Sequence, residues 1–398
     1  MAIRELSQPM VLRGTNQESG RPYNRRIVLE TIRLHGPVAR GEIARRVGLT
    51  VQTVSTIIRE LELQDFIIGA REEPKGRGYP ATALRLNPEG GFAIGANVTP
   101  IGVDVALVNL AGDVIGHIGR EITHPEPDRA FAEIASATEE LRHLRPSGRM
   151  LGLGMAMPGP FDVESMSFVG PTTLQGWKNV PIPERLTAAT GLPAFVGGDV
   201  GSAALSERLY GAGRNLREFY YLYLGVGTGG TYVHDGHALR GARGNAGEIG
   251  HVSFIPDGEP CPCGNRGCFE RYVSVEALDR RAPIVGEDGW IAEAAPLLRT
   301  AIVAIENLFD PETIIFGGLA PEAVMKKLAR AVEPLPPSVA ERRDRPVPRL
   351  TLSVTGKYAL LRGAAALAFS NVLAPRIGSS SDDDSDPLMQ KSKAEKAA

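Results

Sequence analysis

The sequence predicts an α/β protein of more than one domain that begins with a winged helix-turn-helix. Residues 22–86 follow the pattern of three short helices and a hairpin, and from residue 92 onward strand patterns alternate with helical ones. The length of 398 residues supports several domains, because one domain usually holds about 100–200 residues.

The N-terminal helices are predicted from apolar spacing and from the residues that end or begin a helix. Gly36-Pro37 should end the first helix, the second should begin near Arg40, and Gly48 suits the positive φ of a tight turn. Thr50 can cap the third helix. Leu29, Ile32 and Leu34 are placed on the first helix, Ile43, Ala44 and Val47 are expected to face inward on the second, and Val54, Ile57, Ile58 and Leu61 fall at helical spacing on the third.

Two strands around a basic turn, REEPKGRGYP, follow the third helix and are predicted to form a wing. The outward face of the third helix suits a DNA major groove, and the wing tip suits a minor groove. The candidate DNA-binding residues are Gln52, Thr53, Thr56, Arg59, Lys75 and Arg77. An ordinary helical hairpin with a polar face is the alternative for the isolated helices.

Charge is distributed unevenly along the chain. Residues 1–88 hold 14 Lys and Arg against 9 Asp and Glu, a formal charge of +5, whereas the remainder holds 30 against 37, or −7. A local excess of positive charge favours contact with the phosphate backbone of DNA.

The region after residue 92 contains two similar runs of strands. FAIGANV, VDVALVNL and MLGLGMAM, with a helix predicted over 127–145, are followed by FYYLYLGVG and TYVHDGHALRG, which repeat the opening of strand, glycine-rich turn and strand. Two similar lobes around a cleft are therefore expected. The predicted boundaries are a flexible arm at 1–21, the winged helix at 22–88, a two-lobed domain at 89–377 divided near 200–218, and a disordered tail at 378–398.

A cytoplasmic protein is expected, since no apolar run approaches the roughly 18–20 residues that span a bilayer and the N-terminus lacks a signal-peptide core.

The three cysteines, Cys261, Cys263 and Cys268, lie close together after His251. One imidazole and three thiolates in a Gly- and Pro-rich loop suit the tetrahedral coordination of structural Zn²⁺. Buried free cysteines are the alternative.

The segments GEIGH and CPCGNRGCFE, at 247–251 and 261–270, resemble the ROK family of repressors and sugar kinases, in its repressor branch. MPGPFD, LGVGTGG and DPETIIFGG agree with the family pattern in the same order, and the resemblance covers residues 22–375. It implies a winged helix-turn-helix followed by a two-lobed, actin-like (ribonuclease H-like) ATPase/sugar-kinase fold, with a hexose between the lobes.

The resemblance also implies functions for individual residues. Glu248, His251 and Glu270 would contact sugar hydroxyls, and Asp199 would occupy the position of the catalytic base. His251 would bind zinc through one ring nitrogen and face the sugar with the other. A helix cap is the alternative for Asp199, and a structural loop contact is the alternative for Glu248.

Two departures from the family pattern matter, the first for catalysis and the second for sugar binding. Asn97, Thr99 and Pro100 replace the acidic residue and the glycines of the first phosphate-binding turn, so ATP and Mg²⁺ are not expected and Asp199 would be vestigial. Gly198 stands where the family usually has an Asn that contacts the sugar. The second glycine-rich turn, 224–230, is interpreted as a tight hairpin.

The sequence therefore predicts a transcriptional repressor of carbohydrate-utilisation genes. A small sugar or sugar derivative would control its binding to a double-stranded DNA operator, and a homodimer or homotetramer without membrane contact is expected. A ROK-type sugar kinase and a ligand-blind DNA-binding regulator are the two alternatives.

Overall fold

The fold is taken from a computed structural model that describes residues 20–70, 83–159, 174, 176–242, 244–342 and 344–373. Most of the predicted N-terminal arm, the wing tip with Lys75 and Arg77, the end of the MPGPFD segment and the C-terminal tail lie outside these residues. Among the helices described, none has the length and apolar character needed to cross a bilayer.

The N-terminal residues form the predicted winged helix-turn-helix. Its helices are α1 (Arg21–His35), α2 (Arg40–Val47) and α3 (Val51–Leu63), and its strands are β1 (Val38–Ala39), β2 (Ile67–Ala70) and β3 (Ala83–Leu86), paired in the order β1-β3-β2. Gly48 has a φ of 68° at the end of α2, and the Thr50 hydroxyl accepts a hydrogen bond from the N–H of Thr53, as predicted. The two-residue strand β1 was not predicted.

Two five-stranded sheets of the same topology follow. The first contains β4 (Phe92–Thr99), β5 (Gly102–Asn109), β6 (Val114–Glu121), β7 (Met150–Met157) and β8 (Ala194–Gly198), in the order β6-β5-β4-β7-β8. The second contains β9 (Glu218–Leu224), β10 (Thr228–His234), β11 (His237–Ala238), β12 (Ile314–Gly318) and β13 (Leu350–Leu352), in the order β11-β10-β9-β12-β13. Each has three antiparallel strands followed by two parallel ones, which confirms the predicted duplication.

Helices cover these sheets. They are α4 (Pro127–Arg142), α5 (Ile182–Thr190), α6 (Asp199–Tyr210), α7 (Val275–Val285), α8 (Glu287–Phe309), α9 (Glu322–Ala331) and α10 (Ala359–Leu373). Helix α4 ends three residues before its predicted end at 145. The proposed domain boundaries at 88/89 and near 200–218 stay predictions, although each falls between two of the sheets.

Helix α10 lies against both the first sheet and α6 at backbone contact distance. A Cβ at Gly95 in β4 would overlap the carbonyl oxygen of Leu361, and one at Gly154 in β7 would overlap that of Ala364. On its other side, a Cβ at Gly363 would overlap the carbonyl oxygen of Ser202 in α6. Glycines on both sides of the contact thus allow this helix to pack between the sheet and α6.

The winged helix shares its hydrophobic core with this same helix. Buried residues of α1, α2 and α3 form one cluster with residues of β4 and β5 and with Phe369 of α10. Arg26 donates to the carbonyl oxygen of Val372 at 2.7 Å, and the Arg149 guanidinium lies 4.5 Å from the centre of the Phe66 ring. The DNA-binding end is therefore packed onto the first sheet and α10.

We predict that Phe369→Ala loosens the winged helix as well as α10. Truncation of a buried Phe costs about 3–5 kcal/mol, and here the cavity would open in the core that both elements share. Amide hydrogen exchange should show lower protection in α1, α2 and α3.

The matched control is Phe316→Ala, because Phe316 is equally buried but lies in the core of the second sheet. It should lower protection around β12 and leave the winged helix unchanged. Equal loss of protection in the winged helix of both variants would contradict the shared core.

Candidate functional site

A loop between β11 and α7 brings His251 together with all three cysteines. One ligand atom from each residue lies within 4.8 Å of the others. The His251 Nδ1 atom is 3.6 Å from Cys261 Sγ, and the sulfurs of Cys263 and Cys268 are 3.7 Å apart. Two sulfurs bound 2.3 Å from one tetrahedral ion would be separated by about 3.8 Å. The cluster is therefore compatible with structural zinc.

Turn geometry and short backbone bridges give this loop its shape. Gly264 and Gly267 adopt left-handed φ values of 92° and 68°, which favour glycine. The N–H of Cys261 donates to the carbonyl oxygen of Asn265 at 2.8 Å, and Ser253 pairs with Cys268 across an antiparallel bridge. These contacts bring the two chain segments that carry the cysteines next to each other.

His251 presents its two ring nitrogens to different groups. Nδ1 lies beside Cys261 Sγ and is 3.3 Å from Oε1 of Glu270, whereas Nε2 is 4.0 Å from Oε2 of Glu248. This arrangement agrees with the expectation that one nitrogen belongs to the metal cluster and the other to the cleft. The sugar contact itself stays a prediction.

Glu270, which was expected to contact sugar, lies directly beside the cysteine cluster. Its Oε1 is 3.3 Å from Cys261 Sγ, and a Cβ at Gly227 would approach its Oε2 at 2.7 Å. The side chain therefore fills the space between the cluster and the turn of the β9–β10 hairpin. Its predicted contact with sugar is not tested by these distances.

Asp199 and Glu248 are carboxylates near the start of α6. The N-cap position of α6 is Gly198, so the helix-cap alternative for Asp199 is wrong; its Oδ1 instead accepts the N–H of Val200 at 2.7 Å. Burial raises the pKa of Asp199 to about 6, and the charge of Glu248 contributes in the same direction. Burial also raises the pKa of Glu248. Carboxylates in such a setting suit hydroxyl donors.

Gly198 leaves open space beside these carboxylates. A Cβ built on Gly198 would have no atom within 4 Å. The backbone surroundings of Gly198 therefore do not exclude a Cβ, so glycine is not required at this position by close packing.

The two turns that would face phosphates in a kinase are both tight hairpins. Thr99 pairs with Gly102 across a two-residue turn that contains Pro100, and the Pro100 carbonyl accepts the N–H of His124 at 2.7 Å. In the second hairpin, the N–H of Gly225 donates to the carbonyl of Gly227 at 2.9 Å. The expected tight hairpin at 224–230 is present, with β9 and β10 on either side of it.

The outer face of α3 carries the four expected DNA-binding residues of that helix. Gln52, Thr53, Thr56 and Arg59 are all exposed, whereas the apolar positions Val54, Ile57, Ile58 and Leu61 are buried, as predicted. Lys75 and Arg77 lie outside the described residues. Arg45 on α2 is 77% exposed and was not among the candidates. Its position next to the helix-turn-helix turn was the signal that could have included it.

Comparisons with known proteins agree with this architecture. The winged helix-turn-helix DNA-binding profile matches residues 22–68, and the ROK family profile matches residues 102–371. A putative xylose repressor of Caldicellulosiruptor sp. is 28% identical over 332 residues, which are 75% of this chain and 83% of the relative. A glucokinase of Halalkalibacterium halodurans is 32% identical over 56% of this chain and 79% of the enzyme.

A solved structure superposes on most of this chain. A ROK family transcriptional regulator, described as a homologue of the Escherichia coli MLC protein, superposes with a TM-score of 0.69 and 25% identity over 89% of this chain and 97% of the other. The family profile alone covers more than half of the 398 residues. This chain, a winged helix-turn-helix joined to a two-lobed sugar-kinase fold, therefore belongs to the ROK family.

Proposed function

We propose that this protein is a DNA-binding transcriptional repressor of carbohydrate-utilisation genes, controlled by a sugar that binds in a kinase-like domain inactive in phosphoryl transfer. The observation that carries the proposal is the exposed polar face of α3 on a winged helix packed directly onto a ROK fold. Relatives named xylose repressor and DNA-binding transcriptional repressor support it.

DNA contact is assigned to the outer face of α3 and to the wing. Gln52 can pair with an adenine edge, Thr53 and Thr56 can meet a thymine methyl group or donate a hydrogen bond, and Arg59 reaches phosphate. Lys75 and Arg77 would enter a minor groove. A homodimer or homotetramer would place two such heads on a two-fold symmetric operator.

Sugar recognition is assigned to Asp199, Glu248, His251 and Glu270. Three carboxylates and one imidazole converge where α6 begins and the cysteine loop passes, and carboxylate oxygens accept hydroxyl hydrogen bonds strongly. Zinc bound by His251, Cys261, Cys263 and Cys268 would orient the His251 ring as a scaffold. Regulation requires that sugar bind one lobe arrangement more tightly than another.

A sugar kinase is the second candidate, favoured by the 32% identity to a glucokinase. Asn97 and Pro100 oppose it, because a neutral amide binds Mg²⁺ poorly and proline removes an N–H donor from the phosphate turn. A ligand-blind regulator is the third, favoured by Gly198, which removes one expected sugar contact.

DNA binding should depend on the α3 face in two distinguishable ways. Arg59→Gln should weaken binding to all DNA sequences and reduce the slope of log affinity against log salt by about 1, since it removes one phosphate contact. Gln52→Ala should reduce discrimination at one base pair by about 1–3 kcal/mol. Fluorescence anisotropy on an operator selected from random DNA measures both effects.

The control for these variants is Arg142→Gln, an exposed arginine on α4 outside the winged helix. It should leave affinity and salt slope unchanged. Equal weakening by Arg142→Gln would show that general charge, and not the α3 face, governs the binding.

Isothermal titration of zinc-replete protein with hexoses, amino sugars, pentoses and polyols, without ATP, tests the sensor. We expect the protein to bind one class of sugar saturably. Glu248→Ala should abolish this binding, because it removes a carboxylate that accepts a hydrogen bond from a sugar hydroxyl. Glu139→Ala, an exposed carboxylate on α4, is the matched control and should bind normally. Absence of binding across the panel would favour the ligand-blind regulator. In a separate assay with ATP and the same sugars, sugar-dependent ATP consumption would favour the kinase.

Metal analysis should find one Zn²⁺ per chain. His251→Ala and Cys263→Ser should each lower that content and weaken sugar binding, since three remaining ligands leave the tetrahedral site incomplete. The control is His143→Ala. The His143 side chain is 76% exposed at the C-terminal end of α4, and this variant should retain zinc. Unchanged metal content in Cys263→Ser would rule out the assigned ligand set.

A further inference from the structure

An open cleft lies where the winged helix meets the ROK fold, away from the carboxylates at the start of α6. It is lined by Leu34, His35, Gly36, Arg46, Arg214 and Asn215 and has a volume of about 330 Å³. That volume falls within the range of about 300–1,000 Å³ found for small-molecule sites.

The lining of the cleft is basic. Three of its six residues, His35, Arg46 and Arg214, carry basic side chains, and none carries a carboxylate. Around them, Glu42 pairs with Arg46 at 2.8 Å and also with Arg45, and Glu30 pairs with Arg33 through two hydrogen bonds. Glu42 and Glu30 are thus already engaged, and Glu42 is shared between two arginines, so the charge balance around these described residues is positive.

The pKa of His35 is lowered by burial and by the positive charges around this cleft. Burial lowers its pKa, and the charges of Arg46, Arg208 and Arg214 lower it further, with Glu42 opposing them. The positive charges of α2, of α6 and of the loop after α6 therefore all act on His35.

The arginines are held in place by backbone acceptors. Arg214 Nη2 donates to the carbonyl oxygen of Gly36 at 2.8 Å, and Arg208 Nη1 donates to the carbonyl oxygen of Arg214 at 2.9 Å.

We propose that this cleft binds the phosphoryl group of a small phosphorylated molecule, with Arg46 and Arg214 as its charged donors. A guanidinium fork matches two oxygens of a phosphoryl group, and two such forks suit a dianion. Arg46 belongs to the winged helix and Arg214 to the loop between α6 and β9. The bound anion therefore links the DNA-binding head to the effector domain at a second site, distinct from the sugar cleft.

The test is isothermal titration of the full chain with inorganic phosphate and with glycerol 3-phosphate, against sodium chloride and glycerol at matched ionic strength. We expect saturable binding of one phosphate per chain. Arg46→Gln and Arg214→Gln should each weaken it by about 10–100-fold, the effect of losing one charge-assisted hydrogen bond. Arg129→Gln, an exposed arginine on α4, should bind like the unaltered protein.

Arg214→Lys separates this effect from misfolding, because it keeps the charge while losing the fork; it should bind phosphate more weakly than the unaltered protein and more tightly than Arg214→Gln. Absence of saturable phosphate binding, or equal binding by Arg46→Gln and Arg214→Gln and the unaltered protein, would overturn the proposal. Loss of DNA affinity in both Gln variants without phosphate binding by the free protein would also overturn it, assigning the two arginines to the DNA backbone.

Discussion

The packing of α10 is the constraint on which the rest of the molecule depends. This helix lies close enough to the first sheet and to α6 that Gly95, Gly154 and Gly363 have no room for a Cβ. Interiors packed this tightly transmit displacement and do not deform smoothly. A shift of α6 must therefore move α10, and α10 shares its hydrophobic core with the DNA-binding helices. The mechanical connection between the cleft and the DNA-binding end is consequently short.

The start of α6 carries a buried carboxylate that is influenced by the cysteine loop. Asp199 lies in the first turn of α6, the charge of Glu248 acts on it, and His251 lies between Glu248 and Glu270 in the cysteine loop. The loop has little regular structure, so its shape depends on glycine turns, short bridges and the four clustered ligand atoms. A bound ion would therefore order the same residues that face the cleft.

The buried Asp199 carboxylate destabilises the folded protein when it is ionised, and it favours the binding of hydroxyl donors. Because the pKa of Asp199 is raised from its ordinary value of 3.8 to about 6, the folded protein retains a proton that the unfolded chain has already lost between these pH values. This group therefore lowers the free energy of unfolding as pH rises through that window. Above it, the ionised carboxylate is buried with few donors, and hydroxyl donors from a ligand would relieve this cost.

The sequence alone determined the helices and strands and the group of four candidate metal ligands, because each depends on residues that are close together in the chain. Apolar periodicity located α1, α2 and α3, Gly48 and Thr50 marked their boundaries, and the repeated strand pattern predicted two matching sheets. His251 and the cysteines were recognisable because they lie within 18 residues of one another. A helix cap was the alternative interpretation of Asp199, and Gly198 occupies that position instead. Only the tertiary structure decided that α10 joins the head to α6, and that Arg46 meets Arg214 across one cleft. Residues 168 positions apart come together through packing, which no local pattern encodes.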